Sequence, residues 1–302
     1  MRRALILGLV ALWPVLPAAQ TAEEVAQARA AYEVGTFDAA LGVLEPAARG
    51  GDPVGQYVLG LAYATGQGKP AEPRLATEWL GKAAEAGLGA AQHQLGLLLL
   101  QGHEGLEANP EAAARWFDAA MKQGDSGAFF MRAGMMRDGM LGDADPAGAA
   151  ALFGVALEMG SAPAGVALGD IYRKGLGVPK DEARARDLFT RSAAMGYGPA
   201  MGNLALMHEV GMGGPKDPMA AFALYQEAVA LGDANAAVNL AWFMVQQPGY
   251  WQNNSLAYAY CLWAESIADA DQAAGFKATC GQVRERLTEN EVELAQELAA
   301  AF

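Results

Sequence analysis

Apolar and small residues recur along this chain in a pattern that is helical at short range and periodic at long range. Glycines mark successive segments at Gly51, Gly87, Gly124, Gly160, Gly196 and Gly232, separated by 36, 37, 36, 36 and 36 residues. Four residues after each marker stands a small residue: Gly55, Ala91, Ala128, Ala164, Ala200 or Ala236. Four further on comes Leu59, Leu95, Arg132, Leu168, Leu204 or Leu240. Spacing by four puts both positions on one helix face, where the small residue admits a close neighbour and the leucine fills the gap beside it. Arg132 interrupts the leucine column, so the third unit is expected to pack less well than the others.

Glycine pairs follow this first helix at Gly66 and Gly68, Gly175 and Gly177, and Gly211 and Gly213, as a turn through positive φ requires. A second helix is then announced by Asn109-Pro110, Asp145-Pro146 and Asp217-Pro218, and more weakly by Glu72-Pro73 and Asp181. A capping side chain followed by proline at the first helical position is a strong start signal. The second helix carries Ala76, Ala113, Ala149, Ala185, Ala221 and Ala257. Three residues later come Trp79, Trp116, Leu152, Leu188, Leu224 and Tyr260, and four beyond those Ala83, Ala120, Ala156, Ser192, Ala228 and Ala264. This i, i+3, i+7 stripe predicts core packing, with the large residue flanked by small ones. Self-similarity at such a period predicts an all-α solenoid of stacked helix-turn-helix units, six of them over residues 51–268.

The ends differ from the repeats. Residues 20–50 read as a shorter helix pair, with Tyr32, Phe37 and Ala40. Residues 269–302 read as a C-terminal cap, in which Thr288 and Glu291 form a capping box ahead of Leu294 and Leu298. Residues 1–19 have the layout of a secretory signal: Arg2 and Arg3, an apolar stretch from Ala4 to Leu16, and a small-residue region ending at Ala19. This predicts a periplasmic or secreted protein that does not insert in a membrane once the leader is removed. No later apolar run is long enough to span a bilayer.

Composition narrows the partners. The chain has 302 residues, of which 53% are hydrophobic, many of them alanine, and 18% charged, which excludes a disordered chain. Its formal net charge is −13, and loss of Arg2 and Arg3 would deepen it. So acidic a surface repels phosphate backbones and anionic lipid, so nucleic acid is not an expected partner. The two cysteines, Cys261 and Cys280, are a candidate disulfide in an oxidising compartment; two separate buried thiols are the alternative.

Catalytic strings are sparse. Gly124-Asp125-Ser126-Gly127 has the letters of a serine-protease nucleophile loop, but Gly-Asp is also how this repeat begins at Gly51-Asp52 and Gly232-Asp233. His208-Glu209 opens a zinc-protease string that lacks its second histidine, and His93, His103 and His208 share no ligand spacing. No phosphate-binding loop or dinucleotide fingerprint occurs. The chain is therefore expected to be no enzyme and to need no metal or cofactor.

The repeat resembles the Sel-1-like family, a relative of the tetratricopeptide repeat. The fourth unit carries Ala164, Leu168, Gly169, Tyr172, Gly175, Gly177 and Val178 of its pattern; the first carries Leu59, Gly60, Tyr63, Gly66, Gly68 and Trp79. The third and sixth units depart from it, at Arg132 and in the Gln246–Ser255 loop. The resemblance implies a right-handed superhelix of helix pairs that binds other proteins. It thus suggests an adaptor or scaffold in the bacterial envelope, regulatory or assembly-related, that holds an extended segment or helix of a partner protein. A peptidoglycan- or β-lactam-acting hydrolase and a peptide- or glycan-binding module are the rival readings. The family's inward positions, carried over, are Tyr57, His93, Phe130, Arg137, Asp170, Arg173, Lys174, Glu209 and Trp242, which would line a concave groove.

Overall fold

The structure is a computed structural model that describes residues 20–246 and 253–302. The candidate leader and the middle of the Gln246–Ser255 loop lie outside the described residues. Among those described, the regular structure is sixteen helices with no strand. A leading pair is formed by Ala22–Glu33 (α1) and Phe37–Arg49 (α2). Six pairs follow: Pro53–Thr65 (α3) with Pro73–Glu85 (α4), Gly89–Gln101 (α5) with Pro110–Met121 (α6), Ser126–Arg137 (α7) with Pro146–Glu158 (α8), Ala162–Lys174 (α9) with Glu182–Ala194 (α10), Gly198–Val210 (α11) with Pro218–Ala230 (α12), and Ala234–Gln246 (α13) with Asn254–Ile267 (α14). Ala270–Arg284 (α15) and Glu289–Ala299 (α16) close the chain.

The helices start where the sequence places caps. The Oδ1 atoms of Asp145, Asp181 and Asp217 accept from the backbone N–H of Gly148, Arg184 and Ala220 at 2.8, 2.9 and 3.0 Å, satisfying amides that the first helical turn leaves open. Glu72 makes no side-chain cap, in keeping with its weaker signal. Thr288 and Glu291 complete the capping box of α16. The loop glycines serve two needs at once. Gly177 has φ +67° and also lies on the start of the preceding second helix, where a Cβ would sit 2.9 Å from Ala147 N.

The chain divides into two compact units, one ending at Trp116 and the other beginning at Phe117. Consecutive helices pack against one another from α1 to α5 in one unit and from α7 to α15 in the other, where α16 returns to pack on α14. First helices also touch the first helix of the next pair: α1 and α3, α3 and α5 in one unit, α9 and α11, α11 and α13 in the other.

The core follows the predicted small residues but not the predicted large ones. Ala76, Ala113, Ala149, Ala185, Ala221 and Ala257 are fully buried, as are Ala83, Ala120, Ala156, Ser192, Ala228 and Ala264. Of the bulky residues expected between them, Leu188 and Tyr260 are buried, while Trp79, Trp116, Leu152 and Leu224 are only half-buried. The bulk of the core lies one residue later, at Leu80, Phe117, Phe153, Phe189, Tyr225 and Cys261. Positions i+3 and i+4 both lie on the face of residue i, and the neighbouring helix sits over the i+4 side.

Arg132 behaves as expected of an arginine in a leucine column. It is half-buried, and its Nε donates to Asp118 Oδ1 at 3.1 Å. Its helix α7 buries three residues, against six in α9 and seven in α11.

Candidate functional site

The candidate wall is built from the first helix of each pair, and its members fall into distinct environments. In the first unit Tyr57 on α3 is half-buried and packs against two core clusters, and His93 on α5 is half-buried. In the second unit, Arg137, Arg173 and Glu209 occupy one repeat position on α7, α9 and α11, each 36 residues from the last. That register puts two cations and an anion in one column.

The cations carry a small charged island. Arg137 on α7 makes a two-pronged contact with Asp138, with Nε to Oδ1 at 2.7 Å and Nη2 to Oδ2 at 2.9 Å. This hydrogen bonding holds the Asp138 carboxyl below the usual carboxylate range. Arg137 also feels the charge of Asp170 on α9. Asp170 in turn accepts from Arg173 Nη2 at 2.6 Å and lies 3.8 Å from Lys174 Nζ. Three cations, Arg137, Arg173 and Lys174, thus share two carboxylates. The sequence-predicted residues brought together are these three with Asp170.

The remaining predicted positions turn back into their own packing. The Phe130 ring lies 5.6 Å from that of Phe153 on α8. Trp242 on α13 packs on the core and has the Arg286 guanidinium over its ring at 5.6 Å, while Arg286 Nη1 donates to Val245 O at 2.9 Å. Glu209 accepts from the hydroxyl of buried Tyr225 on α12 at 2.9 Å. Burial pushes the Glu209 carboxyl up, against the lowering effects of that hydrogen bond and of Lys216. The Tyr225 hydroxyl is pushed up as well, by burial first and then by the Glu209 charge.

The catalytic strings have structural roles here. Asp125 Oδ1 caps α7 by accepting from Ala128 N at 2.7 Å, and Ser126 is the first residue of that helix. His208 Nδ1 lies 2.6 Å from Arg186 Nη2, and Arg186 Nη1 also reaches Met212 O at 3.3 Å, fixing the loop after α11. Burial, then the Arg186 charge, lowers the His208 pKa. Cys261 and Cys280, the candidate bridge, are brought side by side in the core by α14 and α15, each as a buried thiol. The Cys280 hydrogen bond and burial push the Cys261 thiol up.

Sequence reasoning missed one feature of the second unit. A cleft of about 400 Å³ lies between α12 and α14, lined by Gln226, Val229, Ala230, Gly232, Tyr260, Trp263 and Phe302. The repeat pattern assigns Tyr260 to the core and carries no signal for Phe302.

Four segments match the Sel1 repeat family model: residues 53–88, 89–125, 162–197 and 198–233. The chain belongs to the Sel1 repeat family. Its Sel1 matches pass over the third and sixth helix pairs, the two whose sequences depart from the pattern. The chain is similar to a crystal structure of a protective antigen from uropathogenic Escherichia coli with an SLR fold, at TM-score 0.80 and 25% identity over 92% of this chain. It spans only 60% of that antigen's length. It is also similar to a Sel1 repeat protein from Oxalobacter formigenes, at TM-score 0.73 and 26% identity, over 81% of this chain and 97% of that one. No curated protein matches the chain. Among the described residues, no helix is long and apolar enough to cross a membrane. Sel1 repeat proteins are in general protein–protein interaction scaffolds and typically non-enzymatic.

Proposed function

We propose that this Sel1 repeat protein is an exported scaffold that holds a partner protein against the first-helix face of its second unit. The observation that carries this reading is the Arg137–Asp170–Arg173–Lys174 island on neighbouring first helices. It is a locally cationic spot in a chain of net charge −13. An acidic group on the partner would find its counterion there, and the flanking carboxylates would fix its register. Export is supported by the basic and apolar layout of residues 1–19.

The test is a crosslinking pull-down from a bacterial envelope fraction. Arg173→Ala is expected to weaken capture about thirtyfold, the ~2 kcal/mol of an interface arginine, while the melting point stays close to wild type. A double variant, Arg137→Ala with Arg173→Ala, that keeps every partner at wild-type strength would remove this face from consideration. For export, deleting residues 1–19 should leave the protein in the cytoplasm, and equal envelope recovery with and without them would overturn that part.

A further inference from the structure

We infer that Cys261 and Cys280 are a modification site, at which the two thiols close a disulfide that ties α15 to α14. The inference stands apart from the first-helix face proposed above.

The repeat register supplies the first half of the argument. Cys261 stands in the column that the other second helices fill with Leu80, Phe117, Phe153, Phe189 and Tyr225, all of them buried. A thiol there gives up much of the apolar area that a ring or a leucine buries, so the sixth pair loses filling that its neighbours have. The position is closed all the same, because α15 lays a second buried thiol, Cys280, beside the first. Both belong to one core cluster with Phe276 and Val283 of α15.

The second half is how little else holds α15. It buries Phe276, Cys280 and Val283 out of fifteen residues, whereas α9 buries six of thirteen. A covalent tie supplies what packing does not. The sequence holds two cysteines, so each is the other's partner within the chain. They stand 19 positions apart, a span at which a cross-link removes much of the freedom of the unfolded chain. Helix α15 also packs on α13, and Arg286, just beyond its end, lies over Trp242 of α13. Fixing α15 therefore steadies that contact too.

Closure takes a disulfide donor, small molecule or protein, as oxidant. One cysteine thiolate attacks a donor sulfur, expelling one donor thiolate and leaving a mixed disulfide; the second cysteine thiolate then displaces the other as the Cys261–Cys280 bond forms. Two S–H bonds break, one S–S bond forms, and two electrons and two protons leave with the donor as two thiols. Burial opposes the thiolate. The exchange therefore belongs to a chain in which α15 has not yet docked on α14, and the docked bridge is shielded from reductant.

The experiment refolds the whole chain from denaturant, either with glutathione disulfide and glutathione or with a reductant. Thiols are then counted by maleimide labelling in denaturant without reductant. Oxidative refolding is expected to leave none to label in a monomer lighter by two hydrogens, and reductive refolding to leave two. The oxidised form should melt about 5–10 °C above the reduced one. Its cleavage by trypsin at Lys277 and Arg284 should be about tenfold slower. Cys280→Ala should melt alike in both buffers. The folded, reduced protein should close the bridge at least about tenfold more slowly than the refolding chain. Cell-free synthesis in the same two buffers gives the same readouts if refolding is poor. The redox buffer supplies the oxidant, so failure of the export reading leaves the test intact. Two labelled thiols after oxidation, a bridge between copies in place of one within the chain, or identical melting and cleavage of the oxidised and reduced forms would each overturn the inference.

Discussion

The third and fourth repeats build the same helix pair from different materials. Both start their second helix on an aspartate cap, Asp145 or Asp181, and both bury a phenylalanine completely, Phe153 or Phe189. Their first helices differ. In α9, Leu168 fills the leucine position and Gly169 lets the Phe189 ring come so close that a Cβ there would sit 2.6 Å from Cε1. In α7 those two positions are Arg132 and Ala133, and the arginine reaches out to Asp118. The family model matches the fourth repeat and passes over the third, yet the pairing of α7 with α8 is kept. Caps and small residues therefore set the architecture, and the leucine column sets how densely it is filled.

That comparison can be broken most sharply at the buried rings. Phe189→Ala and Phe153→Ala should each cost about 3–5 kcal/mol in urea unfolding. A Phe153→Ala loss below about 1 kcal/mol would mean that the third repeat's core is not closed, and the equivalence of the two pairs would fail. Leu168→Ala comes next, at about 2–5 kcal/mol, since it removes the filler that Arg132 never supplied. A Leu168→Ala melt identical to wild type would place the leucine column outside the core.

The same comparison predicts gains. Arg132→Leu should stabilise by about 1 kcal/mol, because it restores apolar filling and loses only an ion pair whose carboxylate is half-exposed. Ser192 stands where the other repeats have alanine, fully buried, with its Oγ turned against Gly165 and without a hydrogen-bond partner among the described residues. Ser192→Ala should therefore stabilise by up to about 1 kcal/mol, because it removes an unsatisfied hydroxyl. Destabilisation by either change would show that the repeat register misjudges what those sites hold.

The smallest effect is a pH dependence in the fifth repeat, where Glu209 occupies the position of Arg137 and Arg173. Its folded pKa is raised above the ordinary 4.5, so the folded state holds the proton more tightly than the unfolded chain. The resulting stability is present below that value and is lost as pH rises through the folded pKa. Glu209→Gln keeps an acceptor for the Tyr225 hydroxyl and removes the charge. Its melting point should exceed wild type at pH 8, and the difference should vanish near pH 4. The lowered His208 pKa acts with the opposite sign, but it is common to both proteins and cancels in the difference. A gap that is the same at both pH values would assign the effect to packing.

Much of this protein is determined by its sequence alone. The glycine period fixed the number of helix pairs, Asp and Asn followed by Pro marked where second helices begin, and the alanine columns named buried positions, because caps and sterics act within a few residues. Even the weak third repeat was legible in Arg132. What required tertiary structure was the choice between side chains that share a helix face. Trp79 and Leu80, or Leu152 and Phe153, are equally consistent with a 3.6-residue stripe, and only the neighbouring helix decides which is covered. The same holds for the site. The sequence supplied the inward positions, but the fold gathered Arg137, Asp170, Arg173 and Lys174, turned Glu209 toward Tyr225, and laid Arg286 over Trp242. It also set Phe302 on Tyr260, across 42 residues of sequence. Contacts between side chains so far apart leave no local pattern in a single sequence, since their energy depends on a distance that exists only once the helices have stacked.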